Sequence, residues 1–344
     1  MSQSLERYSR QVLLQYIGED RQKILMNSTA VVIGCGALGT VSASYLVRAG
    51  IGQIKIIDRD FIEENNLQRQ VLFDEKDISE NLPKAIAAQR KLQLINSQVK
   101  VEGIVSDVNY SSIDELTKDA DIIIDGTDNF ETRFLINDYC VKSSVPWIYG
   151  ACIGSRGVMM SIIPSKTPCL RCVFETMPQA GSTSTCDTAG VIGPIAGIIA
   201  SFQVAEAIKI LTGDYAAVNK SILEIDVWGT ELRQIDISEL KDIGTCPTCK
   251  LHNYEFLDAA SGIMTTFLCG KNAVQVIHRN SGSIDLRQLE LRLRSIADVG
   301  FNDFMLKFKV KNHAFTVFPD GRAIITGTAD LSIAKGLYSK YLGM

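Results

Sequence analysis

Apolar residues in this chain come in short β-branched runs separated by longer helical patterns. Ala30-Val31-Val32-Ile33 is one such run, dense enough for a strand buried on both faces. Gly34-x-Gly36-x-x-Gly39 follows it. An apolar helical pattern then passes through Tyr45, Leu46 and Val47, and a second run, Ile54-Lys55-Ile56-Ile57, ends in Asp58. Further strands are expected at 100–105, 121–125 and 146–151, and a helix opens at Pro83-Lys84 and runs to about Ile95. Residues 158–163 form another strand pattern, and 192–211 reads as a buried helix followed by a strand at 223–228. The βαβ order, turning strand-only later, predicts an α/β fold: a Rossmann-like, doubly wound, mostly parallel sheet with antiparallel additions. Ahead of it, residues 5–26 read as one helix with Leu13, Leu14 and Ile17 on a common face.

The pattern changes after residue 250. Strands are expected at 265–268, 273–277, 305–310, 314–318 and 323–325, with helices at 286–296 and 331–341 and a Pro319-Asp320-Gly321 turn. Residues 1–250 therefore read as the main domain, and 251–344 as a small α+β module.

Composition narrows the function. The chain has 344 residues, 46% of them hydrophobic, and a net charge of −4. With no dense Lys/Arg tract, this argues against a nucleic-acid partner. The charged N-terminal MSQSLERYSRQ lacks an apolar stretch. The uncharged segment 188–205 is too polar for a membrane span, so a cytoplasmic protein is expected. Nine cysteines include two C-x-x-C pairs, Cys169/Cys172 and Cys246/Cys249, which favours metal over disulfides. Four thiolates leave no open position, so a structural Zn²⁺ stapling distant parts of one domain is expected.

The glycine turn is the centre of the candidate chemistry. Gly34, Gly36 and Gly39 let backbone approach a phosphate at a helix N-terminus. Asp58, about 24 positions after Gly34, stands where a carboxylate accepts from a ribose hydroxyl. Two polar clusters follow strand ends: 65–70, which includes Asn66, Arg69 and Gln70, and 126–129, which includes Asp128 and Asn129. Arg69 and Lys84, with Arg10 a further candidate, supply the cations a triphosphate needs, and Asp128 can hold Mg²⁺. Cys186 lies in a small-residue loop just before a helix. It reads either as a nucleophile with a lowered pKa or as an inert thiol. Cys35, Cys140, Cys152 and Cys269 read as small buried side chains.

Arg7-Tyr8-Ser9-Arg10-Gln11, GCGALG at 34–39, Asp58-Arg59-Asp60, Asn66-Leu67-Gln68-Arg69-Gln70, Leu82-Pro83-Lys84, Gly126-Thr127-Asp128-Asn129, both C-x-x-C pairs and Cys186 occur in this order. Over residues 1 to about 250 the chain thus resembles the MoeB/ThiF group of the ubiquitin-activating enzyme superfamily. The resemblance implies an ATP-dependent adenylyltransferase acting on a ubiquitin-like sulfur carrier with a Gly-Gly C-terminus. It implies that Asp58 holds the ribose, that Asn66, Arg69, Gln70 and Lys84 surround the phosphates, and that Asp128 binds Mg²⁺. It also implies a homodimer in which Arg10 reaches the partner's ATP site, and a catalytic or sulfur-handling role for Cys186. The tail lacks a rhodanese-like Cys-centred loop, so a separate sulfur donor is expected. Two other readings remain: adenylation of a different carboxylate, such as a peptide or a tRNA-bound amino acid, and a non-catalytic nucleotide- or NAD-binding module.

Overall fold

The computed structural model of the chain describes residues 5–176, 190–242, 244–257, 264–268, 272–277, 284–294 and 297–342. Cys186, the 178–188 loop, Cys269 and His278 lie outside the described residues. The chain divides into two units, Met1–Ala259 and Ala260–Met344.

In chain order the first unit contains α1 (Ser9–Val12), α2 (Gly18–Leu25), β1 (Thr29–Ile33), α3 (Ala37–Ala49) and β2 (Gln53–Ile57). Then come α4 (Glu75–Ser79), α5 (Lys84–Ile95), β3 (Lys100–Ile104), α6 (Ile113–Leu116), β4 (Ile122–Asp125) and α7 (Phe130–Ser143). It ends with β5 (Trp147–Ile153), β6 (Arg156–Ile162), α8 (Leu170–Val173), α9 (Gly193–Leu211), β7 (Ile222–Asp226) and β8 (Glu231–Ile235).

The strands form one sheet in the order β3-β2-β1-β4-β5-β6-β7-β8. The first five are parallel, and β6, β7 and β8 extend the sheet antiparallel. The chain leaves β1 towards β2 and β3, then crosses back to β4. The carboxyl ends of β1 and β4 therefore flank the point where strand order reverses, the place where doubly wound sheets bind ligands.

The continuous apolar runs have a physical cause in the layering. Alternate side chains enter opposite cores: Ala30, Val32, Ile54 and Ile56 pack with α3, α5 and α9, while Val31, Ile33 and Ile57 pack on the α7 side. Helix α9 is apolar and long enough to cross a membrane, but half of it is buried, and it packs on α3, β5 and β6.

The N-terminal expectation needs correction. Residues 5–26 do not form one helix: a 3₁₀ turn (Glu6–Tyr8) and α1 precede a break, and Gly18 has φ +61° at the start of α2. Leu13 and Leu14 are exposed, and Tyr8, Gln22 and Leu25 are the buried contacts instead. The Tyr8 ring packs against Gly50, and its hydroxyl accepts from Asn96 Nδ2 at 2.9 Å. Propensity alone could not show that anchoring Tyr8 takes precedence over helix continuity.

The second unit has its own sheet, containing β9 (Met264–Leu268), β10 (Ala273–Ile277), β11 (Val299–Phe301), β12 (Leu306–Val310), β13 (His313–Val317) and β14 (Ala323–Thr326). The order is β11-β12-β13-β14-β10-β9, antiparallel throughout. Helices α10 (Leu286–Leu293) and α11 (Leu331–Leu342) close one core with Val274, Phe308, Phe315 and Ile325. Gly321, at φ +83°, makes the β13–β14 turn that Pro319-Asp320-Gly321 signalled. The short β11 and the hairpin strand β8 carry no strand pattern that the sequence shows, β8 being exposed at every position.

Candidate functional site

The site is built on close backbone approach. Gly34 leaves β1 at φ +89°, and a Cβ on it would lie 2.5 Å from the Gly126 carbonyl oxygen at the end of β4. A Cβ on Gly126 would in turn lie 2.4 Å from the Gly34 oxygen. The glycine loop and the 126–129 loop are therefore in contact. Gly36 is the N-cap of α3 and offers no side chain to its free N–H groups.

Asp58, just beyond β2, is tied to the same loop. Its Oδ2 accepts from Cys35 N at 2.6 Å and its Oδ1 from Asp60 N at 2.7 Å. Burial pushes the Asp58 carboxyl up, against the pull of the Lys84 ammonium. Lys84 opens α5. Its backbone N–H donates to Asp60 O, and its Nζ lies 3.3 Å from Asp60 Oδ2. Lys84 is only 6% exposed. Burial works against its charge, but Asp60, Asp58 and Asp128 outweigh it and push the pKa up. Arg59 follows the same logic: burial opposes its charge, and Asp107, at 2.6 Å, with Asp60 and Asp128 more than compensates.

The 65–70 cluster forms a 3₁₀ turn and its continuation. Asn66 and Gln70 are buried, and Arg69 is half-buried with its guanidinium on Asn65 O at 2.7 Å. The Gln70 amide reaches to 4.0 Å from the Cβ position of Gly36, and its Oε1 has no hydrogen-bond partner among the described residues. An unsatisfied buried amide beside the glycine loop fits a site that takes a polar ligand. Asp128 is exposed at the tip of its loop, with Oδ1 3.5 Å from Asn129 Nδ2. The Asn129 side-chain oxygen caps α7, accepting from Thr132 N at 2.9 Å. Arg10 is exposed on α1.

Sequence reading missed α7 and the groups that hold the loop. Arg133 on α7 pairs with buried Asp125 at 3.2 Å and donates to Thr127 O and Gly150 O. From the opposite face, Gln203 on α9 donates to Asp125 O and Ile148 O. Asn129 ahead of a helical stretch was the overlooked cap signal.

The four pair cysteines come together on the α7 side of the sheet. Sγ–Sγ separations are 3.8 Å for Cys169–Cys172, 3.6 Å for Cys169–Cys246 and 3.4 Å for Cys172–Cys249, and all four sulfurs lie within 4.8 Å of one another. Four thiolates around one tetrahedral Zn²⁺ stand about 3.8 Å apart, so the donor set and spacing fit that ion. Cys35 and Cys140 are buried as expected, while Cys152 is half-buried.

A doubly wound sheet with a glycine loop, an acid after β2 and a buried lysine at the switch point is the layout of a nucleotide-handling protein, and similarity to known proteins makes this one a MoeB/ThiF-type adenylyltransferase. The chain belongs to the ThiF family, whose model matches residues 8–248. It is 43% identical to the sulfur carrier protein ThiS adenylyltransferase of Bacillus subtilis, over 98% of this chain and 99% of that protein. It is 33% identical to the SAMP-activating enzyme E1 of Haloferax volcanii, over 71% and 88%. Among solved structures, E. coli MccB with ATP matches at a TM-score of 0.61 and 26% identity, covering 71% of this chain and 74% of that one.

Proposed function

We propose that this chain adenylylates the C-terminal glycine carboxylate of a ubiquitin-like sulfur carrier ending in Gly-Gly. The carboxylate oxygen attacks the α-phosphorus of ATP, the bond to the bridging oxygen breaks, and pyrophosphate leaves with its electron pair. The products are the acyl-adenylate and pyrophosphate. The observation carrying this reading is Lys84, a buried ammonium kept charged beside the glycine loop. A dinucleotide pyrophosphate needs no such cation, whereas charge building on a leaving pyrophosphate does.

The residues divide the work. Asp58 accepts from the ribose. Gly34, Gly36 and Gly39 bring backbone and the α3 N-terminus to the phosphates, and Asn66, Arg69, Gln70 and Lys84 surround them. Asp128, with Asn129 behind it, would hold Mg²⁺, which when bound neutralises phosphate charge. Cys169, Cys172, Cys246 and Cys249 would hold Zn²⁺ as a structural ion with no open position. The near full-length likeness to a ThiS adenylyltransferase supports the carrier as substrate. Cys186 would handle the activated carboxylate or its sulfur after adenylation, and a separate protein would donate that sulfur.

Leu13 and Tyr16, 71% and 62% exposed, directly follow the α1 segment bearing Arg10. This supports a homodimer that covers them and lends Arg10 to the partner's site. ATP–[³²P]pyrophosphate exchange, with and without Gly-Gly-ended carriers, tests the function. Exchange that depends on one carrier is expected. ATP binding without exchange on any carrier would transfer the reading to another carboxylate.

A further inference from the structure

Helix α7 starts at the nucleotide loop and grips two separate parts of the first unit within about two turns. At its first end, Asn129 caps it and Arg133 holds Asp125, Thr127 and Gly150. One turn on, two adjacent residues hold the two halves of the cysteine staple. Asn137 Oδ1 accepts from Leu170 N at 2.8 Å, directly after Cys169. Asp138 Oδ1 accepts from Thr248 Oγ1 at 2.8 Å, between Cys246 and Cys249, and its Oδ2 from Phe256 N at 3.0 Å. Asn137, Asp138 and Thr248 are fully buried.

Aromatic contacts follow the same line. Phe174, at the end of α8, stands 5.7 Å from Phe130, the first residue of α7, and 6.5 Å from Tyr149. The Arg133 guanidinium lies over the Tyr149 ring at 5.3 Å. A staple needed only as a cross-link requires four thiols. Here an amide and a carboxylate on one helix also satisfy buried donors in both halves of the staple, so both halves are tied to α7. These bonds hold α7 one turn beyond the residues, Asn129 and Arg133, that contact the loop.

We propose that the cysteine staple acts through Asn137 and Asp138 on α7 to position the 125–129 loop, making these two residues positioning residues for Mg·ATP at Asp128. This rests on the reading of Asp128 given above.

The test uses the full chain with Co²⁺ in the four-thiolate site, where its visible bands report the sulfur geometry. Because coupling is reciprocal, Mg·ATP should shift those bands, and Asp128→Ala should abolish the shift. In the zinc form, Asp138→Asn with stoichiometric zinc should raise the Mg²⁺ midpoint of pyrophosphate exchange by roughly 5- to 10-fold, with the rate at saturating Mg²⁺ little changed. Asn137→Ala should act the same way. If Asp138→Asn fails to fold or to keep zinc, the Co²⁺ bands of the parent chain decide alone. Bands indifferent to Mg·ATP, or an unchanged Mg²⁺ midpoint in zinc-loaded variants, overturn the coupling. Absence of exchange in the parent chain marks failure of the adenylation reading instead.

Discussion

The α-carbon of Gly39 faces the carbonyl of Gly34 so closely that a Cβ there would stand 1.9 Å from the oxygen. The first turn of α3 is thereby pressed onto the end of β1. Gly39→Ala must move one or the other, because the obstacle is backbone. The expected outcome is a loss of ATP affinity of tenfold or more, at about 1.4 kcal/mol per decade, with the protein still folded. Equilibrium binding of a fluorescent ATP analogue checks it, and parental affinity would remove the glycine loop from the site.

Lys84 and Arg69 should each matter to the chemical step. Lys84→Ala and Arg69→Ala are expected to slow pyrophosphate exchange by roughly two decades or more, since one charge-stabilising group contributes about 3–4 kcal/mol. Circular dichroism should show the fold intact. Parental exchange rates in both variants would sink the phosphate assignment.

The raised pKa of Lys84 has a definite sign. The ammonium is favoured more in the folded state than in the unfolded chain. Its stabilising contribution is thus complete below the ordinary lysine value, about 10.4, and is lost only as pH rises through the higher folded value. Exchange and stability should therefore show no lysine-type alkaline fall below about pH 10. A fall centred near 9 that disappears in Lys84→Arg would contradict this.

Arg133 and Asp125 form a buried pair, 7% and 0% exposed at the side chain. Burial pushes Asp125 up and Arg133 opposes it. Arg133→Met leaves the carboxylate without its cation and should cost about 3–5 kcal/mol in urea unfolding. A loss under 1 kcal/mol would mean that the hydrogen bonds from Thr127 hold Asp125 by themselves.

Chelation, or Cys246→Ser, should lower Tm, because the staple joins segments far apart in sequence. Metal analysis of pure protein should give one zinc per chain. Finding none would end the zinc assignment.

Much of this was legible in the chain. Strands covered on both faces are apolar at nearly every position, so β1, β2 and β4 read as runs despite Lys55 in β2 and Asp125 at the end of β4. Gly34, Asp58 and Lys84 sit at strand or helix ends where only a few residue types serve. Helix α7 was less visible: with Arg133, Asn137 and Asp138 along it, it carries polar groups into the interior and shows little amphipathic contrast. The break in the N-terminal helix is not legible in the sequence, because the burial of Tyr8 against Gly50 is a long-range contact.

By itself, then, the amino-acid order determined what local rules govern: strand periodicity, the glycine turn, the two cysteine pairs and their chemistry. Tertiary structure alone decided which of these meet. It brought Gly126 against Gly34, paired Asp60 with Lys84, placed Asp58 and Asp128 near enough to favour the Lys84 charge, and set Asn137 and Asp138 against the two halves of the staple. Those relationships depend on packing between segments distant in sequence, and no local propensity encodes the distance between them.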